Sequence, residues 1–301
     1  MNIIGIDHGY GYTKTVHHSF PSGVVAFDNP PYTSKGVLQF EKKYYVCGSG
    51  RQGLTKAKTE DDNYFILTLA AIALEIESHG LDRNASVIIA AGLPLTSFGR
   101  EKETFERYLM AIPVVKFEYE GKAYRIHIAG VKLFPQGYTA IAYQNKLLTQ
   151  EPSQILVDIG SWTVDCMMIN NAIPDASTCR SLELGIIRCI EKTQEEVRRQ
   201  LGLSITTQQV EQVLLGKECG IGKEIKSIIT TQGEIYSQQL FKVLSESGFD
   251  TRAVPTLIMG GGALVIKPYI AKGQLVQIID DIHMNAKGYE IVAKQVLDDE
   301  G

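Results

Sequence analysis

The stretch Ile3-Ile4-Gly5-Ile6-Asp7-His8-Gly9-Tyr10-Gly11-Tyr12-Thr13-Lys14 decides the fold, because its pattern returns as Ile155-Leu156-Val157-Asp158-Ile159-Gly160-Ser161-Trp162-Thr163-Val164-Asp165. Each copy is an apolar strand that ends in Asp-x-Gly and is followed by small or hydroxylic residues. A strand that turns tightly on glycine exposes backbone N–H groups, and a carboxylate beside them can hold the hydrated Mg²⁺ of a polyphosphate. Either copy alone is equally compatible with an ordinary hairpin turn. As a pair they predict two facing loops that clamp a nucleotide.

A third motif lies late in the chain, at Leu257-Ile258-Met259-Gly260-Gly261-Gly262-Ala263. It reads as a strand that meets a helix, and its glycines allow a flat ring to lie on the backbone. Three consecutive glycines are costly to order, so a plain strand-to-helix turn explains them poorly. The motif therefore predicts a site for an adenine and its ribose.

The order of these three motifs resembles that of the superfamily of actin, sugar-kinase and heat-shock-chaperone ATPases. Three further segments resemble its ParM/StbA branch, the bacterial actin-like proteins that segregate plasmids: Gly92–Leu95, Phe134–Ala140 and Asn285–Tyr289. The resemblance spans nearly the whole chain. It implies an actin-like α/β ATPase fold made of two similarly built, duplicated α/β domains with a nucleotide cleft between them.

Length and composition agree with two domains. The 301 residues are 44% apolar, enough for a substantial core, and the net charge is only −4. A net charge this small gives no strong electrostatic attraction to nucleic acid or to an anionic membrane. Five cysteines without Cys-x-x-Cys spacing argue against disulfides or zinc, and the six histidines show no metal-ligand spacing either. With no signal peptide and no apolar run of about 20 residues, we expect a cytoplasmic protein.

The predicted domain I covers residues 1–152 and includes a small insertion at about 21–60. A terminal helix at about 284–301 is predicted to pack back on it, and domain II covers residues 153–283. The patterns further predict two hairpins and four long helices. These are a hairpin at Met1–Asp7 and Lys14–Phe20, a helix that begins after Asp61-Asp62 and ends at Gly80, a hairpin turning at Glu120-Gly121, and helices at about 185–201, 206–215 and 221–246.

The resemblance implies roles for the first loop. Asp7 is expected to coordinate Mg²⁺ and phosphate, through water more often than directly; the alternative is an Asx turn. Donors to the β- and γ-phosphates would come from Gly9, Gly11, Tyr12 and Thr13. Lys14 lies where family members often place a phosphate-contacting lysine, although it could be an exposed strand residue.

In the second half, Asp158 is the second carboxylate and would place Mg²⁺ or the attacking water. The opposing phosphate wall would consist of Gly160, Ser161 and Thr163. The adenine and ribose would lie against Gly260, Gly261 and Gly262, with Lys217 and Glu218 near the ribose and base. Trp162, the only tryptophan, is given no function, His8 is interpreted as a loop filler, and Asp165 is either a cleft residue or a surface residue.

Hydrolysis needs a group that orients water in line with the γ-phosphate. Gln136 is predicted in the first turn of a helix that begins at Pro135 and ends near Thr149, where actins carry glutamine. A glutamine can orient water but is no strong base, so slow turnover is expected. Alternatively, Gln136 is merely a helix residue.

The resemblance thus implies an ATPase that uses ATP, with GTP as the alternative nucleotide, together with Mg²⁺. Its partners would be further copies of itself, in a filament, and a small DNA-binding adaptor bound to a plasmid centromere, with no membrane contact. A cell-shape or phage-DNA-positioning actin remains an alternative, as does a small-molecule, sugar-type kinase. A heat-shock-type chaperone is disfavoured because no peptide-binding β domain follows.

Overall fold

The computed structural model describes residues 2–53, 58–142 and 151–300. The chain divides into two compact units, here called unit 1 (Met1–Asn145 with His283–Gly301) and unit 2 (Lys146–Ile282). Both units combine helices with a β-sheet, so the predicted α/β class is confirmed. Within the described ranges, none of the helices carries an apolar stretch long enough to cross a lipid bilayer.

The strands and helices are numbered along the chain. The strands are β1 Asn2–His8, β2 Tyr12–Lys14, β3 Ser19–Pro21, β4 Val24–Phe27, β5 Val37–Phe40, β6 Lys43–Cys47, β7 Asn84–Leu93, β8 Val114–Tyr119, β9 Lys122–Pro135, β10 Ser153–Ile159, β11 Val164–Asn170, β12 Ile173–Leu182, β13 Thr256–Met259 and β14 Val276–Ile278. The helices are α1 Asn63–His79, α2 Phe98–Leu109, α3 Tyr138–Ala142, α4 Ile187–Leu201, α5 Thr207–Leu214, α6 Lys223–Glu246, α7 Gly261–Ile266 and α8 Met284–Glu300.

Unit 1 is built on a nine-stranded sheet in the order β3-β2-β1-β7-β9-β8-β5-β6-β4. Its centre is parallel, because β1 pairs with β7 and β7 with β9 in the same direction. The hairpin around the first Asp-x-Gly is confirmed, with Asp7 opposite Lys14. Its second strand is shorter than predicted, since β2 ends at Lys14 and a turn leads into β3. The segment predicted as an insertion contains β4, β5 and β6, which continue this sheet through pairing of β5 with β8.

Helix α1 is the buried helix of unit 1. Twelve of its seventeen residues are buried, because apolar side chains cover most of its circumference. It ends, as predicted, at Gly80, whose left-handed φ of 61° closes the last turn. At its start, Asp62 occupies the N-cap without a side-chain hydrogen bond, and Asp61 Oδ1 accepts from the N–H of Asn63 at 2.9 Å.

The helix after β9 begins later than the sequence predicts. Pro135 was predicted in the first turn of a helix, and this is wrong, because β9 continues through Pro135, which pairs with Leu93 of β7. The helix starts only at Tyr138. Its predicted end near Thr149 lies outside the described residues.

The last helix, α8, packs on the central strand β1 of unit 1. Close approach is possible because Gly5 has no side chain: a Cβ at that position would lie 2.1 Å from the carbonyl oxygen of Ala286. At the same surface Tyr289 is fully buried and stacks on Phe134. The final segment of unit 1 therefore completes a core that the first residues begin.

Unit 2 has a five-stranded sheet in the order β12-β11-β10-β13-β14. The second Asp-x-Gly turns between β10 and β11, which pair antiparallel, whereas β10 and β13 pair in parallel. Helix α5 has a capping box, in which Thr206 and Gln209 bond each other's backbone N–H groups. The core of unit 2 is a cluster of aliphatic residues from β10 and β13 with aromatic residues from α6, including Tyr236 and Phe241.

Candidate functional site

The first loop joins β1 to β2 and carries a buried acid paired with a lysine. Asp7 is 2% exposed, near the carboxyl end of β1. The register places Lys14 directly across from it, and Lys14 Nζ lies 3.4 Å from Asp7 Oδ2. The lysine side chain is only 13% exposed. Lys14 is therefore held at the carboxylate and is not an exposed strand lysine.

The backbone of this loop is organised by Ser22, a residue that the sequence analysis did not single out. Its hydroxyl donates to the carbonyl of Gly9 at 2.6 Å, and its N–H donates to the carbonyl of Gly11 at 3.0 Å. The hydroxyl of Thr13 is buried and lies 2.9 Å from that of Ser22, whereas Tyr12 is half-buried. The loop carbonyls are thus bonded within the protein, which fixes the loop.

Gln136 lies in the turn between β9 and α3. Its N–H donates to the carbonyl of Leu93 at 2.8 Å. The next residue, Gly137, donates its N–H to Oδ1 of Asn285 in α8 at 3.0 Å. Because β7 separates β1 from β9, these two strands lie about 10 Å apart at a strand spacing of about 4.8 Å, and Asp7 and Gln136 lie at the same carboxyl edge of the sheet.

The second loop joins β10 to β11 in unit 2. Asp158 is 5% exposed, and the N–H of Gly160 donates to the carbonyl of Thr163 at 2.9 Å. The carbonyl of Ser161 accepts from the N–H of Ile187, where α4 begins, at 3.0 Å. Asp165 lies opposite Asp158 in register, and its Oδ2 accepts from the Thr163 hydroxyl at 3.1 Å.

The glycine triplet lies against the carboxylate of this second loop. Gly260 has φ of 90°, and a Cβ there would lie 2.3 Å from Asp158 Oδ1. A Cβ on Gly262 would lie 2.2 Å from Cγ2 of Ile159, whereas Gly261 is exposed with no atom near its Cβ position. Both contacts follow from the parallel pairing of β10 with β13. Within unit 2 the second loop and the triplet therefore form one site.

Lys217 and Glu218 lie in an exposed turn after α5. The N–H of Lys217 donates to the carbonyl of Gln212 at 2.8 Å, which closes the helix end. Helix α5 contacts α7, the short helix that follows the glycine triplet. The structure thus keeps both residues in the same unit as the triplet and leaves their side chains accessible.

Taken separately, the donors of each unit fit a magnesium ion and a phosphate. Asp7 in unit 1 and Asp158 in unit 2 each offer carboxylate oxygens, the ligands that Mg²⁺ prefers, and Lys14 in unit 1 offers a positive charge that suits phosphate. Oδ1 of Asp158 occupies the space that a side chain at position 260 would fill. Either carboxylate would hold the ion through water, and an ion so held neutralises charge on a phosphate.

His8, interpreted as a loop filler, is instead a core residue, and that interpretation is wrong. It is the last residue of β1, its side chain is fully buried, and its Nε2 lies 2.8 Å from the hydroxyl of Thr68 in α1. The ring packs edge-on against Tyr64 and Phe105. Burial, with a smaller contribution from the charge of Lys58, lowers the pKa of His8 to about 3. The imidazole is therefore neutral at physiological pH.

Two family models match the sequence. The model for the N-terminal domain of actin-like proteins matches residues 5–138, and the model for the C-terminal domain of MreB-like archaeal actin homologues matches residues 156–272. An archaeal actin homologue in complex with ADP superposes with a TM-score of 0.76 at 22% identity, covering 98% of this chain and 100% of that chain. The chain has the actin-like fold. This confirms the predicted fold.

Two further actin-like structures cover nearly the whole chain. A ParM from the 15-stranded filament of Clostridium botulinum gives a TM-score of 0.78 at 21% identity, covering 98% of this chain and 100% of that chain. ParM of Bacillus thuringiensis with ATP gives 0.70 at 14% identity, with 100% of both chains covered. No curated protein sequence matches the chain. At these identities the likeness establishes the actin-like fold alone.

Sequence reasoning missed three features of unit 1. Ser22, which positions the first loop, belongs to no motif. Asn285 begins the segment Asn285–Tyr289, but its bond to the Gln136 turn was not expected. The histidines were found to lack metal-ligand spacing, yet His17 and His79 meet at Glu75. The spacing of Glu75 and His79, four residues apart on a helix, was the available signal, because it places both on one face.

Proposed function

We propose that this actin-like protein binds ATP with Mg²⁺ through the Asp7 loop, the Asp158 loop and the glycine triplet. The observation that carries the proposal is the contact in unit 2, where Gly260 leaves the space that Asp158 Oδ1 occupies. A triplet used only as a turn would have no need to lie against a buried carboxylate. The Lys14–Asp7 pair in unit 1 supplies a second acid and a cation of the kinds that phosphate and its metal require.

The proposed roles follow the chemistry of each group. Asp7 and Asp158 hold Mg²⁺ through water, and Lys14 contacts phosphate oxygen. Backbone and hydroxyl donors of the two loops line the phosphates: Gly9, Gly11, Tyr12, Thr13, Gly160, Ser161 and Thr163. The adenine and ribose lie on the triplet, with Lys217 and Glu218 at their edge. GTP is the alternative nucleotide.

We further propose that the protein hydrolyses the nucleotide, with Gln136 orienting the attacking water. Its position at the carboxyl edge of the sheet, where β1 carries Asp7 two strands away, supports this role. The amide neither accepts a proton readily nor carries charge, so hydrolysis is slow in the monomer. The turn that carries Gln136 is held by the hydrogen bond from the N–H of Gly137 to Asn285 in α8, so a movement of α8 would change the geometry of the turn.

The proposed biological role is a cytoplasmic filament that turns over with hydrolysis and segregates plasmid DNA through an adaptor bound at a centromere. The fold shared with ParM supports it. The net charge of −4 favours an adaptor over direct DNA contact. In this proposal the chain has two domains, domain I (1–152 with 284–301), which carries the Asp7 loop, and domain II (153–283), which carries the Asp158 loop. A cell-shape or phage-DNA-positioning role, or a sugar-type kinase, is the alternative.

Binding can be tested with Trp162, the only tryptophan, which lies half-buried within the Asp158 loop. Addition of ATP with Mg²⁺ is expected to change its fluorescence and to raise the melting temperature. A ligand at about 100 times its Kd adds about 2.7 kcal/mol of apparent stability. Asp82→Asn is a matched control for Asp7→Asn, because Asp82 is exposed, accepts from the N–H of Asn84 and lies at the amino end of β7, away from the nucleotide loops. The proposal is contradicted if ATP with Mg²⁺ changes neither the fluorescence of Trp162 nor the melting temperature.

Assembly is tested by light scattering and electron microscopy at micromolar protein with ATP and Mg²⁺. Filaments that disassemble as phosphate is released are expected. Transfer of phosphate to a sugar, without assembly in any nucleotide state, would instead favour the kinase.

A further inference from the structure

Three side chains of unit 1 converge away from the nucleotide loops. His17 lies in the turn between β2 and β3, and Glu75 and His79 lie one helical turn apart on α1. Oε2 of Glu75 is 2.8 Å from Nδ1 of His17 and 3.2 Å from Nε2 of His79. One nitrogen or oxygen atom from each side chain thus lies within 4.8 Å of the other two.

The carboxylate of Glu75 is held in place by further hydrogen bonds. Its other oxygen, Oε1, accepts from the hydroxyl of Thr15 and from the backbone N–H of His17, the latter at 2.9 Å. The side chain is only 2% exposed. Burial opposes ionisation, but the hydrogen bonds from Thr15 and His17 outweigh it and lower the pKa of the Glu75 carboxyl. Oε2 is therefore an anionic oxygen in a fixed position, facing two imidazoles.

The spacing suits a tetrahedral metal ion. Ligand atoms about 2.0–2.1 Å from a tetrahedral zinc lie roughly 3.3 Å from one another, and the two separations from Glu75 Oε2, 2.8 and 3.2 Å, lie just below this value. The His17 and His79 side chains are 49% and 40% exposed, so an ion reaches them from solvent and keeps a position for water. The two rings are nearly perpendicular, with centroids 5.0 Å apart.

We propose that His17, Glu75 and His79 form a binding site for a zinc-class divalent ion, with water as a fourth ligand. Imidazole nitrogen selects Zn²⁺ over Mg²⁺, which prefers oxygen.

Such an ion would attach the β2–β3 turn to α1. This turn begins directly after Lys14, the last residue of β2. On α1, Thr68, which bonds His8, precedes Glu75 by about 10 Å along the helix axis. Bound metal would therefore stabilise unit 1 by binding the folded state. This site is independent of the proposed nucleotide function, because none of its three ligands belongs to the nucleotide loops.

The alternative is a hydrogen-bonded cluster in which two imidazole N–H groups donate to Glu75 Oε2 and no metal binds. The test uses the full chain without a polyhistidine tag, freed of metal with chelator. Zn²⁺ at about 100 times its Kd is expected to raise the melting temperature by roughly 5–10 °C, and Mg²⁺ without nucleotide by nothing comparable. Co²⁺ is expected to give the visible absorption of a tetrahedral complex.

Variants distinguish a metal site from a hydrogen-bonded cluster that binds no metal. His17→Gln and His79→Gln replace half-exposed residues and are each expected to weaken Zn²⁺ binding by more than about tenfold. His18→Gln is the matched control, because this histidine occupies the same turn but bonds Ser78. The proposal is overturned if Zn²⁺ leaves the wild-type protein unchanged. It is equally overturned if the double variant His17→Gln/His79→Gln keeps the full shift, or if His18→Gln loses as much as His17→Gln does.

Discussion

Acid should destabilise unit 1 through His8. The side chain is fully buried, bonded through Nε2 to Thr68 and enclosed by Tyr64 and Phe105. Its pKa falls from 6.5 to about 3, mainly through burial and secondly through the charge of Lys58. Because the pKa is lower in the folded chain, the unfolded chain binds more protons between those two values. Stability therefore falls as the pH falls from about 6.5 towards about 3.

The magnitude follows from the pKa difference. Each unit corresponds to about 1.36 kcal/mol, so the whole window corresponds to about 5 kcal/mol, as an order of magnitude. Between about pH 7.5 and about pH 5 the loss from His8 alone is about 2 kcal/mol. His8→Gln removes the titration and can keep a hydrogen bond to Thr68. It is expected to lower stability at neutral pH through imperfect packing, but to flatten its pH dependence.

The assay is denaturant unfolding at a series of pH values. Circular dichroism follows both units, whereas the fluorescence of Trp162 follows unit 2, which lacks His8. His127→Gln removes an exposed imidazole on β9 and serves as the control. The reasoning is refuted if His8→Gln has the same slope as the wild type, or if His127→Gln flattens the slope as much.

Three further predictions concern the nucleotide loops. Asp7→Asn should weaken Mg²⁺-dependent ATP binding by tenfold or more, about 1.4 kcal/mol, because it removes the charge that holds the ion; isothermal titration measures it, and an unchanged Kd counts against the metal role. Gln136→Ala should slow phosphate release while leaving the Kd for ATP unchanged, because water placement is lost and the phosphate contacts stay; loss of binding as well would make Gln136 structural. Gly260→Ala should destabilise unit 2 by about 1–3 kcal/mol from backbone strain and more from the clash with Asp158, and should abolish ATP binding. Gly273→Ala is its control, since Gly273 has φ of 91° but no atom within 4 Å of the Cβ position; equal effects of the two variants on ATP binding would contradict the contact.

Much of the fold was predictable because its signals are local. The repeated Asp-x-Gly hairpins, the apolar surface of α1 and the capping residue Thr206 each act within a few neighbouring residues. The continuation of β9 through Pro135 was not predictable. It depends on pairing with Leu93 of β7, about forty residues earlier, and a strand partner outweighed the local preference for a helix start.

The details of the candidate site divide in the same way. The approach of Gly260 to Asp158 needed the parallel register of β10 and β13, which only the folded sheet supplies. The bonds of Ser22 to the first loop depend on where the chain returns after β3. The meeting of His17 with Glu75 joins residues 58 apart, so no spacing in the sequence could indicate it.

Unit 1 is interrupted in the chain by all of unit 2, because α8 returns to pack on β1. During synthesis, unit 2 is contiguous and can fold as soon as its last residues leave the ribosome. Unit 1 must wait with Gly5 and the surface of β1 uncovered until α8 emerges, although its first strand is made first. At about 5–20 residues per second, the 276 residues from His8 to Met284 take about 14–55 seconds to synthesise. The order of folding on the ribosome is therefore expected to run opposite to the order of synthesis, and the incomplete sheet of unit 1 is the species that chaperones would encounter.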